Sequence, residues 1–554
     1  MRILIALIAL LPFAATAGGL PDLLPERVET NLQSRIEANE YPAVVMAVVD
    51  GKRSHIYAFG TLANGQQPDA GTVFEIGSVT KTFTATLLAQ AVQAGELKLE
   101  TPVAKLLPEF TFHAHQNKPI SLGSLATQHS GLPRLPGNLA PADATDPYAD
   151  YGPDQLRKFL AGYTPADEPG SHYEYSNLGV GLLGYALARR SEMTYPQLLE
   201  QRIFKPLGMR MTGIDMSDAM KQHLAVGHDQ GGQPVGNWHF QALAGAGAIL
   251  SDGHDMLRYL QANMGTLGTP LHAAMRMAQK PREKVSADER IGLVWMTRHF
   301  PTADVVWHNG MTGGYASFIG FTADHRKGVV ILTNVQKSVD DLGFAALVPE
   351  ASLAPARKRM QLPAAALDQY AGSYRLAPDF ILRVFRKQDQ LYAQASGQGA
   401  FPIFASAQDE FFANVAGISI SFKRSDTGKV NELVLHQNGD RTAPRISEQA
   451  ASAEPSKKEV KLQPAVLAEY VGRYTLAPGV AFTVTLHGDQ LMVQLTGQQA
   501  FPVFASSRDH FFYRVVDAQL RFQRDKSGKV DALILHQAGR DQTASRVESQ
   551  SSGG

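Results

Sequence analysis

A gap-free internal repeat constrains the fold of this chain more than any other feature. LDQYAGSYRLAP (367–378) returns as LAEYVGRYTLAP (467–478). GQGAFPIFASAQDEFF (397–412) returns as GQQAFPVFASSRDHFF (497–512), and TGKVNELVLHQNG (427–439) as SGKVDALILHQAG (527–539). The offset is 100 residues each time. The C-terminal third is therefore two copies of one module, over 363–448 and 462–548. Linkers fall near 350–362 and 449–461, where Ala, Pro, Ser, Glu and Lys crowd together, and residues 549–554 form a flexible tail. A period this long exceeds that of stacked solenoid units, so the copies are two separate beads. Within a copy, Phe482-Thr483-Val484-Thr485-Leu486 and Leu491-Met492-Val493-Gln494-Leu495 alternate in polarity. His487-Gly488-Asp489-Gln490 joins them as a hairpin turn, and Leu533 and Leu535 belong to another strand after a Ser527-Gly528 turn. This pattern predicts a small antiparallel sheet or closed barrel.

Residues 18–350 read differently. Val44–Val49 and Gly328–Leu332 are strand-like, whereas Thr82–Ala94 has helical spacing of Phe83, Leu87, Leu88 and Val92, with Gly95 past its end. The mix predicts an α/β or α+β domain. Ahead of it, residues 1–17 place one arginine before a short apolar run, broken by Pro12 and closed by Ala15-Thr16-Ala17. This is the pattern of a secretory signal peptide cut after Ala17, and the run is shorter than the ~20 residues a membrane span needs. The chain is expected to be periplasmic or secreted, with no stable membrane span.

The 52 basic and 52 acidic residues cancel, so no bulk field draws the chain to nucleic acid. The absence of cysteine excludes disulfides, thiol nucleophiles and thiolate metal sites. No cofactor or metal is expected: His113-Ala114-His115 has no third ligand motif and reads as a surface pair. Gly179-Val180-Gly181-Leu182-Leu183-Gly184 does not follow a strand, so it reads as helix packing and not as a dinucleotide site. The lack of G-x-S-x-G argues against an α/β-hydrolase.

Three short motifs carry chemistry. Ser78-Val79-Thr80-Lys81 puts a hydroxyl and an amine three residues apart, on one face of a helix. A partly buried lysine can take the proton that a serine must lose to become a nucleophile. Tyr175-Ser176-Asn177 lies in a loop entering a helix, where a phenol can act as acid or base and an Asn can bind an amide. His308-Asn309-Gly310 follows a strand. Gly310 allows close approach of a substrate, and the Met311 N–H is then free to bind an oxyanion. Each motif has an ordinary alternative: a helix cap with Lys81 in solvent, a packed Tyr with a capping Asn, and a Gly-rich turn.

Taken in order, the three resemble the S-x-x-K, Y-x-N and K-T-G or H-x-G set of the serine β-lactamase-like/penicillin-binding-protein superfamily. LATQHSGLPRLP (125–136), FKPLGMRMTG (204–213) and LAGAGAILSDGHDMLRYL (243–260) look like further segments of that family. The resemblance implies an α+β fold: a five-stranded antiparallel sheet flanked by helices plus a helical subdomain, with the active site between them. Carried over, Ser78 is the nucleophile, Lys81 its activating partner and Tyr175 the general base and acid. The N–H groups of Ser78 and Met311 form the oxyanion hole. Asn177 bonds the substrate or Lys81, and His308 takes the place of the K-T-G lysine. A histidine is mostly neutral at pH 7 and a weaker carboxylate anchor. The H-x-G form resembles class C-like D-aminopeptidases, amidases and esterases, and points away from a dedicated β-lactamase. No counterpart to a deacylating glutamate is evident, which leaves Tyr175 to activate the water.

The repeated modules look like the lipocalin-like β-domains appended to such hydrolases. One of them is expected to cap the cleft, the alternative being a spacer or dimerisation unit. The function expected is an exported serine hydrolase that works through an acyl-enzyme. Its partner is a small peptide, amide or ester, with D-amino-acid peptides or small esters foremost. A D-alanyl-D-alanine carboxypeptidase or weak β-lactamase is the alternative enzyme. A non-catalytic binder of wall fragments is the alternative outside catalysis, and a homodimer is compatible with either.

Overall fold

The computed structural model describes residues 22–547 apart from 116, 166–167, 358, 378–379, 397–399, 414–417, 438, 449, 451–458, 478–479, 496–500, 514–517 and 538–539. The expected leader and the tail lie outside the described residues. Strand Ala43–Asp50 shows how the first domain is built. Val45, Ala47 and Val49 enter one core, where Met256 and Leu260 of helix Gly253–Met264 also lie. The alternate residues Val44, Met46 and Val48 enter a second core with Val28 and Leu32 of helix Glu26–Glu37 and Leu342 of helix Asp340–Leu347. A strand covered on both faces is apolar throughout, which is why its sequence shows no alternation.

The sheet runs Arg53–Gly60, Ala43–Asp50, Lys327–Thr333, Ala316–Thr322, Asp304–Met311, Met296–His299, Glu289–Ile291, Glu283–Lys284, with every neighbour antiparallel. It has eight strands where the resemblance implies five. The difference is a short meander over 283–299 that extends the edge beyond the five long strands. Its last strand pairs only the Asp304–Trp307 half of its neighbour. The remaining half, His308–Met311, pairs with Ala316–Ile319 alone, so its other side is open.

The helical layer centres on Thr80–Gln93, which packs against helices Asn177–Arg190 and His272–Gln279. Phe83 stacks on Tyr259 with ring centroids 3.8 Å apart. The G-x-G-x-x-G run lies inside helix Asn177–Arg190. A Cβ on Gly181 would meet Leu243 Cδ2 at 2.8 Å, and one on Gly184 would meet Gly245 Cα at 2.9 Å. The small residues thus serve helix packing, as the sequence suggests.

Each C-terminal module is a closed barrel of eight antiparallel strands. Closure comes from pairing first and last strands: Tyr374 with Arg445 in one copy, Tyr474 with Arg546 in the other. Phe482, Val484, Leu491, Val493, Leu533 and Leu535 point into the second barrel, so the alternation read from sequence is the in–out pattern of the wall. The hairpin turn lies between His487 and Gln490, with Gly488 at φ +63°. Ahead of each barrel the chain adds one equivalent backbone bond, Met360 N to Ala405 O at 2.7 Å and Val460 N to Ala505 O at 2.8 Å. The linker ahead of the first barrel is tied to the sheet domain at Glu40, whose carboxylate accepts from Lys337 Nζ and the Arg357 N–H, and Arg357 Nη1 donates to Ala413 O of the barrel at 3.0 Å.

Candidate active site

Helix Thr80–Gln93 begins two residues before the sequence predicts, preceded by a single 3₁₀ turn, Gly77–Val79. Ser78 sits in that turn, half-buried, at the mouth between sheet and helices. Lys81 lies in the first turn of the helix and is 0 % exposed. Its Nζ is 2.8 Å from Ser78 Oγ and donates to Ala246 O at 2.6 Å. Among the described residues no carboxylate pairs with it. Burial first, and the nearby Arg134 charge second, hold its pKa well below that of an ordinary lysine. The shift favours the neutral amine, the form that has a lone pair to offer Ser78.

Tyr175 stands in an extended segment sewn to residues 128–134: Glu174 N donates to Gln128 O at 2.8 Å, and Asn177 N to Arg134 O at 3.0 Å. The helix that follows is capped by Ser176, whose Oγ accepts from Gly179 N at 2.8 Å. The alternative reading gave that role to Asn177, but Asn177 is already the first helical residue. The Tyr175 ring is 5.0 Å from Lys81 Nζ and 5.1 Å from Arg134 Cζ, with the His308 ring centroid at 6.3 Å. Burial pushes its pKa up to about 12, against the opposing pull of Ser78 and Arg134. It is therefore a neutral phenol at pH 7. Asn177 Nδ2 donates to Tyr148 Oη at 3.0 Å, while its buried Oδ1 has no partner among the described residues. Asn177 is not bonded to Lys81 here.

His308-Asn309-Gly310 lies within strand Asp304–Met311 and does not follow it. The strand continues because residues 304–311 keep pairing with 316–322 beyond the point where the meander stops. Alternation sends His308 to the site face and Asn309 to the other, where its Nδ2 donates to Asp340 Oδ2 at 2.7 Å. His308 is 3 % exposed, and its Nδ1 lies 2.6 Å from Asn309 O. A carbonyl only accepts, so Nδ1 carries the proton and Nε2 is an acceptor. Burial, then Lys81, lower its pKa to about 3, so it is neutral at pH 7. Thr312 N donates to Tyr315 O at 3.0 Å, so the preceding Met311 turns its N–H away from the ladder. It faces Gly77, where an ideal Cβ would lie 2.7 Å from Met311 N at φ +48°. The open half-strand is thus laid against the turn that carries Ser78.

Several residues around the site carry no sequence motif. Tyr148 stacks on Phe240 with centroids 4.6 Å apart and meets Trp238 edge-on at 5.5 Å. Trp238 Nε1 donates to Thr145 O at 2.9 Å, and Trp238 N to Glu75 Oε1 at 2.8 Å, so Trp238 ties the segment at Thr145 to Glu75. Arg134 belongs to the SGLPR stretch, where a charge inside an apolar run is the one available signal. The second barrel reaches the same wall: Gln494 Nε2 donates to Glu174 Oε1 at 2.5 Å, one residue from Tyr175. The first barrel touches the 228–235 hairpin, where a Cβ on Gly231 would lie 3.2 Å from Pro402 Cγ.

Known proteins resemble the chain in two parts. Residues 28–350 match the family described as Beta-lactamase. Residues 356–454 and 456–548 each match a domain of unknown function, DUF3471. A beta-lactamase of Providencia stuartii is 32 % identical over 261 residues, 46 % of this chain and 64 % of that protein. The D-alanyl-D-alanine-carboxypeptidase/endopeptidase AmpH of Escherichia coli (strain K12) is 32 % identical over 222 residues, 39 % of this chain and 56 % of that protein. Each alignment spans less than two thirds of the relative. A solved class C beta-lactamase superposes with a TM-score of 0.53 at 25 % identity, over 59 % of this chain and 96 % of that one.

Proposed function

The chain belongs to the beta-lactamase family of serine hydrolases, and from that premise we propose that it cleaves amide or ester bonds through an acyl-enzyme on Ser78. The observation that carries this reading is Lys81: fully buried, without a carboxylate partner among the described residues, and 2.8 Å from Ser78 Oγ. A charged lysine would be costly there, whereas a neutral one is a base in contact with its acid. Ser78 Oγ–H gives its proton to Lys81 Nζ as the Oγ–carbon bond forms. The oxyanion that develops meets the N–H groups of Ser78 and Met311. Tyr175 then protonates the departing amine or alcohol as the scissile bond breaks, and recovers a proton from the Lys81 ammonium. In the second half a water loses a proton to the same pair and attacks the acyl carbon, and Ser78 leaves with a proton from Lys81. His308, neutral and buried, shapes the pocket and adds no charge.

The substrates we propose are peptides or amides with a D-amino acid, or small esters. The likeness to AmpH and to a class C beta-lactamase supports D-alanyl-D-alanine carboxypeptidase or weak lactamase activity as the second reading. The leader-like residues 1–17 support export to the periplasm or medium. Incubation with a fluorophosphonate, followed by intact mass and peptide mapping, tests the nucleophile. One adduct on Ser78 in the folded chain is expected, and an adduct elsewhere or none would remove the proposal.

We further propose that the second barrel sets substrate choice, supported by the Gln494–Glu174 bond beside Tyr175. Deleting 450–554, then 351–554, is expected to change the ranking of D- and L-aminoacyl amides and esters. Gln494→Ala alone is expected to raise KM by about two- to tenfold, the worth of one hydrogen bond. Unchanged kinetics in both deletions would reduce the barrels to spacers.

A further inference from the structure

The third motif leaves this site without the cation it usually supplies. His308 is uncharged, and Lys81 is committed to Ser78 and Ala246 O. Among the described residues, one other cation reaches the wall. Arg134 is half-buried, its Cζ lies 5.1 Å from the Tyr175 ring centroid, and its charge is felt at Lys81, Tyr175 and Tyr148. Among the described residues it has no carboxylate partner. A guanidinium fixed against an aromatic face and left without a counter-ion keeps its hydrogen-bonding fork for something that arrives.

We propose that Arg134 is the substrate anchor of this site, binding a carboxylate borne by the leaving group. This rests on the acyl-enzyme reading above. The side of the scissile bond follows from Tyr175: the group that protonates the leaving amine is the one Arg134 stacks on, so the guanidinium lies on the leaving-group side. A planar carboxylate there accepts two parallel N–H bonds, which a lone lysine in the third motif would not offer. Arg134 is thus a specificity-determining residue contributed by the 128–134 segment that is sewn to Tyr175.

A matched pair of substrates tests this: an N-acyl-D-alanyl-D-alanine with a free C-terminal carboxylate, and its C-terminal carboxamide. The wild-type protein is expected to prefer the carboxylate by about ten- to hundredfold in kcat/KM, mainly through KM. Arg134→Leu should erase the preference, and Arg134→Lys should restore part of it, with circular dichroism confirming that both variants fold. Loss of both activities in equal proportion, with the acid limb of the pH profile displaced, would overturn the anchor and make Arg134 a positioning group acting through Lys81. A wild-type protein indifferent to the carboxylate would overturn it as well. If neither substrate is turned over, the acyl-enzyme reading fails separately. The anchor is then read by calorimetry of the carboxylate peptide on Ser78→Ala, where adding Arg134→Leu must abolish binding if the inference is to stand.

Discussion

Ser78→Ala and Lys81→Met are each expected to lower kcat/KM on an amide or ester substrate by about 10⁴–10⁶-fold, and the double variant by no more than either alone. The two side chains act as one unit: the hydroxyl is no nucleophile without a base, and the amine 2.8 Å away has no other acid to serve. Stability should move the other way for the lysine. An amine whose folded pKa is depressed binds a proton in the unfolded chain that the folded chain rejects, so at neutral pH it opposes folding. Methionine is of similar length and carries no charge, so Lys81→Met should melt at or above the wild-type temperature while losing turnover. The pH profile has a matching sign. The rate should rise with pH as Lys81 sheds its proton, on a limb displaced to lower pH than an ordinary lysine would give, and fall as the Tyr175 phenol, pushed up to about 12, begins to ionise. A Lys81→Met protein with wild-type kcat/KM would exclude lysine as the base and transfer the role to Tyr175.

The parts of this molecule that are legible in its sequence are those encoded within a few residues. The in–out alternation of Phe482 and Val484, or of Leu491 and Val493, is local, and both pairs point into a barrel. Closure of that barrel is not local, because it depends on Tyr474 meeting Arg546 across the whole module. The same division runs through the site. Ser78 and Lys81 are three residues apart, and their contact follows from one turn of helix. Tyr148 and Phe240 stack from positions far apart in the chain, without any motif at either end. The Gln494–Glu174 bond spans 320 residues and belongs to a docking geometry that no local pattern encodes. The sequence places His308-Asn309-Gly310 after a strand, with a Gly-rich turn as the alternative, because glycine and asparagine favour turns. It is strand because Gly310 is needed for space, and pairing to 316–319 overrides local propensity.

That need for space makes Gly310 a sensitive position outside the reacting groups. An ideal Cβ there would lie 2.0 Å from Ile76 O and 2.6 Å from Ser317 Oγ, and Ser317 Oγ itself donates to Ile76 O at 2.7 Å. The residue is thus the seam where the open half of strand Asp304–Met311 lies against the turn that presents Ser78. A methyl group cannot be housed by a rotamer change, because the nearest obstacle is a backbone carbonyl. Strand and turn must separate, and with them the N–H of Met311 from Ser78. Gly310→Ala is therefore expected to cut kcat by about 10²–10³-fold, the worth of one oxyanion donor. Overpacking of this kind should cost about 1–3 kcal/mol of stability. Gly268→Ala, where a Cβ meets nothing within 4 Å, is the matched control and should leave both quantities alone. The two effects separate in a melt and a fluorophosphonate time course: labelling of Ser78 should slow in Gly310→Ala even at temperatures where the protein is fully folded. Wild-type labelling and turnover in that variant would mean that the strand yields without moving Met311, and the oxyanion would then need a donor other than the Met311 N–H.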